Sequence, residues 1–100
     1  MTEVEIRTLE GDPMNTQFLL LAQYSGKTII PVQEVCKDFF GHLTLQKFLR
    51  KHNCGEIDLP IVRIEDSQKC ARGVHLVDLA HYLDKKREEA TKENNAMFGR

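Results

Sequence analysis

DSQKCARGVHL, residues 66–76, is the stretch that decides how this 100-residue chain is read. It follows a strand-like run, LPIVRI (59–64), and leads into an amphipathic run, LVDLAHYLDKK (76–86). Hairpin connections usually take two to five residues, and longer ones tend to be functional. This one holds Lys69 and Arg72 near its tip, among the small residues Ser67, Ala71 and Gly73. Small side chains let the backbone approach another surface closely. A long basic hairpin of this kind reads as a wing, and the rest of the chain decides what it touches.

Upstream of the wing, TLQKFLRKHNC (44–54) has the marks of a helix. Thr44 is a good N-cap, and Gly55 stands where a left-handed residue closes a helix. Leu45, Phe48, Leu49 and His52 share one face, with Gln46, Lys47, Arg50 and Lys51 pointing away from it. Before it, Pro31 suits a first helical position. Val32, Val35, Cys36, Phe39 and Phe40 then recur as an apolar helical face that Gly41 stops. The order is therefore helix, three-residue turn (41–43), helix, strand, long loop, short strand, helix. With Gly41 as the turn glycine, Lys37 falls where a small residue is expected, so a variant turn is predicted.

At the N-terminal side, Thr16 can cap a short helix with Phe18, Leu19, Leu21 and Ala22 as its apolar residues, ended by Ser25-Gly26. A buried strand is the competing reading of so short a run. The last helix buries Leu76, Leu79, Ala80 and Leu83, and Asp78 in its first turn complements the helix dipole. Beyond Lys85 the apolar stripe is lost, and fraying is expected. The fold class is α+β, mostly helical: a winged helix-turn-helix-like domain with a two-stranded hairpin wing. It is expected to occupy residues 14–92, between an acidic flexible extension (1–13) and a flexible tail (93–100). Gly11-Asp12-Pro13 breaks the extension from the domain, although Val4, Ile6 and Leu9 could form a short added strand.

Bulk composition excludes little. Apolar content of 41% and a formal net charge of −1 fit one modest globular domain, with no global bias toward nucleic acid or membrane. The charge is uneven: Glu3, Glu5, Glu10 and Asp12 outweigh Arg7 in the extension, leaving 13 Lys/Arg against 11 Asp/Glu in residues 14–100. The longest apolar run, FLLLA (18–22), is far short of the ~20 residues of a membrane span. No signal peptide is read at the N-terminus. Three cysteines without a CxxC pair suggest neither a disulfide framework nor a zinc knuckle, which points to a reducing cytoplasm. His52 and Cys54 with His42 or Cys36 match no structural zinc spacing. Cys36, on an apolar face, reads as an inert thiol. Cys70 reads as exposed beside Lys69 and Arg72, so a redox role competes there with chance placement. No catalytic constellation is present, and neither an enzyme nor a cofactor is expected.

The residue types suit DNA. Gln46, Arg50 and Asn53 can present amides or a guanidinium fork to base edges. Lys47, Lys51, Lys69 and Arg72 suit phosphates, as do the side chains of Ser67 and Gln68. Taken alone, a basic outer helix face is usually just a solvated face. The joint occurrence of that face, a short turn before it and a basic hairpin after it favours DNA.

The strings MNTQFLLLAQY (14–24), IIPVQEVCKDFFGHLT (29–44), GEIDLPIVRIEDSQK (55–69) and GVHLVDLAHYLD (73–84) resemble the pyocin activator family, PrtN. The likeness covers about residues 14–92, and more loosely the element order is similar to excisionase and MerR-type winged modules. The resemblance implies a sequence-specific DNA-binding transcription activator of prophage-like or bacteriocin genes, in the bacterial cytoplasm at the nucleoid. RNA polymerase would be its indirect partner. It implies DNA-facing positions at Thr44, Gln46, Lys47, Arg50 and Lys51 on the helix and at Ser67, Gln68, Lys69 and Arg72 on the wing. A homodimer, or several copies on repeated sites, is expected of so small a reader. The alternatives are an excisionase-like architectural factor and an antirepressor-type module that binds an acidic protein.

Overall fold

The computed structural model describes residues 15–65 and 71–99. In chain order these form α1 (Thr16–Gln23), β1 (Ile29–Pro31), α2 (Val32–Phe39), α3 (Leu45–Asn53), β2 (Val62–Arg63), β3 (Arg72–His75) and α4 (Leu76–Phe98). The architecture is mostly helical α+β, with a three-stranded antiparallel sheet ordered β1-β3-β2. The β2–β3 pair is the hairpin wing. The strand β1 was not read from the sequence. Thr28, Ile29 and Ile30 are β-branched, but their partners, Val74 and His75, lie far along the chain. Pro31 is tolerated there because β1 is an edge strand. It also sits one position before α2, so the strand runs straight into the helix.

Gly73 makes this sheet possible. A Cβ at that position would lie 2.5 Å from Ile29 Cγ2 and 2.7 Å from the Ile30 carbonyl oxygen. Only a glycine lets β1 and β3 approach so closely.

The core lies between the helices and the inner face of the sheet. Ile30, Val35, Phe48, Val74, Leu79 and Ala80 are fully buried, drawn from β1, α2, α3, β3 and α4. Phe40 stacks against Phe48 with ring centroids 4.8 Å apart and meets Tyr82 at 6.0 Å, which ties α2, α3 and α4 together. Ile57 and Leu59 are buried in an irregular segment, so the run 59–64 contributes only two residues of strand.

Expectations are corrected in two of the helices. The cap of α1 is Asn15, whose side chain accepts from the Phe18 N–H at 2.8 Å, and not Thr16. The buried face of α1 carries Leu20 and Tyr24, leaving Phe18, Leu19 and Leu21 about half exposed. In a run with four consecutive large apolar residues, periodicity does not choose a face. Hydrogen bonds do so here: Thr16 donates to Asp84 of α4, and the Tyr24 hydroxyl donates to Asp38 of α2 at 2.6 Å. The second correction concerns α4, which continues past Lys85 to Phe98 and is capped by Gly99 in the left-handed region. Strong helix formers fill this outer half. Lys86 also pairs with Glu89 and lies over the Tyr82 ring, so the helix holds without an apolar stripe.

Burial, and then the bond to Asp38, pushes the Tyr24 phenol well above the usual tyrosine range. The neutral phenol is the form that the fold favours. Its stabilisation is therefore complete below the unfolded value of about 10 and is lost as pH rises through the raised folded value. Tyr24→Phe should cost about 1 kcal/mol at neutral pH. It should also lose less stability than the wild type between pH 7 and pH 11, as read by denaturant midpoints. An equal alkaline loss in both proteins would show that Tyr24 is not the group responsible.

Candidate nucleic-acid interface

Thr44 opens α3 as expected, its hydroxyl accepting from the Lys47 N–H at 3.2 Å. The helix ends at Cys54, and Gly55 follows with φ +80°. Between α2 and α3 the chain turns through residues 40–44, closed by the Leu43 N–H donating to the Phe40 carbonyl at 2.8 Å. Gly41 is not left-handed. Its constraint is space, since a Cβ there would press on the Lys37 carbonyl oxygen at 3.3 Å. The turn is longer than the three residues read from the sequence, consistent with the variant turn that Lys37 implied.

Phe48 is fully buried and fixes the rotation of α3. At 100° per residue, Gln46, Arg50 and Asn53 project on the side opposite Phe48. With Leu49 they line one shallow depression, and all three polar residues are exposed. Lys47 is exposed on one flank. On the other flank Leu45 and Leu49 turn toward the wing, where they share an apolar cleft with Ile64, Ala71 and Arg72. The wing thus stands beside the outer face of α3.

Not every expected residue joins this surface equally. Lys51 is half-buried and turns toward the α3–β2 connection, where it pairs with Glu56 at 3.2 Å. Such a surface pair is weak and breakable, worth at most about 1 kcal/mol. Ser67, Gln68 and Lys69, like Cys70, lie outside the described residues. Arg72 is placed on β3, and the sequence reading missed Arg63, which is its direct partner on β2. An arginine interrupting the apolar run PIVRI was the available signal.

Among the described residues no carboxylate pairs with Lys47, Arg50, Arg63 or Arg72; the ion pairs there are Lys27–Glu34, Lys51–Glu56, Lys85–Asp58 and Lys86–Glu89. Among the described residues, the surface formed by α3 and the wing therefore carries four cations that no carboxylate pairs. Cys36 is buried, with its thiol pushed up by desolvation, as suits a packing residue, and Cys54 is exposed. Among the described residues no helix is long and apolar enough to cross a membrane.

Fold and surface together define a small, mostly helical α+β domain whose hairpin wing flanks an exposed polar and basic helix. The chain belongs to the family of the pyocin activator protein PrtN, whose family model matches residues 16–90. No curated protein and no solved structure matches it.

Proposed function

We propose that this protein is a winged helix-turn-helix transcription activator that binds specific double-stranded DNA and switches on pyocin-type genes. The observation that carries this reading is the placement of Gln46, Arg50 and Asn53 on the outer face of α3, beside a hairpin on which Arg63 and Arg72 face each other. The outer face of α3 enters the major groove, where amide and guanidinium groups distinguish base pairs. Thr44, Lys47, Lys51 and Arg72 hold the flanking backbone, and Ser67, Gln68 and Lys69 add to that hold. Membership of an activator family supports the positive sign of regulation and bacterial RNA polymerase as indirect partner. A homodimer or an array of copies supplies the site length that one small domain lacks.

The test is selection of bound duplexes from a random pool, with the recovered motif retested at two salt concentrations. A defined motif whose affinity falls with salt supports the reading, because each neutralised phosphate releases counterions. The symmetry of the motif gives the number of copies bound. Recovery of no motif would overturn it in favour of an acidic protein partner. Strong bending of a bound site without any effect on transcription would instead mark an architectural factor. Within this reading Lys69→Ala should weaken all sequences alike and lower the salt slope by about 1. A changed base preference in that variant would show that the wing reads bases.

A further inference from the structure

Arg63 and Arg72 face each other directly across the β2–β3 ladder. The Ile64 N–H donates to the Ala71 carbonyl at 3.2 Å. The neighbouring pair, Arg63–Arg72, is therefore a non-hydrogen-bonded one, whose Cα atoms lie about 4.5 Å apart with side chains on the same face. Like charges in that relation destabilise a hairpin. Among the described residues no ion pair offsets the repulsion: Glu65, two positions after Arg63, is exposed and pairs with neither arginine, and the ion pairs lie elsewhere. The two side chains lie on one face of the hairpin, and Arg63 is exposed. Arg72 is two residues before the fully buried Val74 on the same strand, and it lines the cleft that Leu45 and Leu49 of α3 share with the wing.

From this juxtaposition we infer that Arg63 and Arg72 form a two-guanidinium clamp for a single DNA backbone phosphate, at the base of the wing beside α3. The inference rests on the DNA-binding reading and adds to it a residue, Arg63, and a register point. Two guanidinium groups offer a phosphate parallel donor forks, which a lysine pair cannot do. The bound phosphate also removes the repulsion that the free hairpin carries. Because the clamp stands on paired strands flanking α3, it sets how far the outer face of α3 can slide along the groove.

The experiment uses the full chain with a duplex recovered by selection. Affinity is measured over a salt series for the wild type, Arg63→Gln, Arg72→Gln and the double variant. Each single variant should lose about tenfold in affinity at low salt. A shared phosphate stays neutralised until both arginines are gone. The salt slope should therefore hardly change in either single variant and fall by about 0.9 in the double. Two separate phosphates would instead lower the slope in each single variant, and that result would overturn the clamp. Replacing phosphates one at a time by neutral methylphosphonates should reveal one position at which the wild type loses affinity and the double variant does not. Thermal melts should show both single variants folded and no less stable than the wild type, since each relieves a like-charge pair. If the wild type binds duplex and Arg63→Gln binds as well, the clamp alone fails. If the wild type binds no duplex, the DNA-binding reading falls and the clamp with it.

Discussion

Phe48→Ala is expected to remove about 3–5 kcal/mol of folding stability, the cost of deleting a fully buried aromatic ring and leaving a cavity. Phe48 is completely excluded from solvent and lies 4.8 Å, ring to ring, from Phe40, which in turn meets Tyr82. The ring therefore anchors α3 to α2 and, through Phe40, to α4. A domain of this size is stable by only about 5–15 kcal/mol, so the loss is a large share of the total. Denaturant titration should show a lower midpoint. A cost under about 1 kcal/mol would mean that α3 does not seat on this core. Phe48→Leu should recover part of the loss, because it refills much of the volume without the aromatic contact. Any loss of DNA binding by Phe48→Ala would follow from a weakened seat for α3, which is why this variant calibrates stability and says nothing about recognition.

The parts of the molecule that were legible in the sequence are those governed by local rules. Thr44, the Leu45–Phe48–Leu49–His52 face and Gly55 specify α3 through capping, periodicity and a left-handed stop, and each acts within a few residues. The unread parts are those that depend on distant partners. The three residues of β1 become a strand because Gly73, in another part of the chain, leaves room for Ile29 and Ile30. The orientation of α1 was misread because Phe18, Leu19, Leu20 and Leu21 are all apolar, and the decision passes to bonds made by Thr16 and Tyr24 with α4 and α2. The outer half of α4 lacks an apolar stripe, yet helix propensity and a left-handed Gly99 carry it to Phe98. Periodicity finds apolar faces, and this segment carries none. For the candidate interface, the outer face of α3 followed from its core face. Arg63 did not, since its importance comes from lying opposite Arg72, and strand register is not visible in one sequence.

Arg50→Ala should cost about 1–3 kcal/mol for the preferred duplex and relax base preference at one position. Arg50 is exposed, has no carboxylate partner among the described residues, and lies opposite the buried Phe48, between Gln46 and Asn53 on the outer face of α3. Its guanidinium fork matches the O6 and N7 acceptors of guanine in the major groove, the commonest base-specific contact. The expected loss is about five- to 150-fold in affinity. Arg50→Lys separates charge from shape: it keeps the positive charge and so the salt slope, but a lysine is a point charge without the fork. It should therefore lose discrimination between the preferred duplex and its single-base variants almost as fully as Arg50→Ala does. An exposed residue of this kind leaves folding stability within about 0.5 kcal/mol, so equal melting temperatures serve as the control. If Arg50→Ala weakened every duplex by the same factor and Arg50→Lys restored binding to all of them, Arg50 would be a backbone contact. Base reading would then rest on Gln46 and Asn53, the two remaining polar side chains on that face.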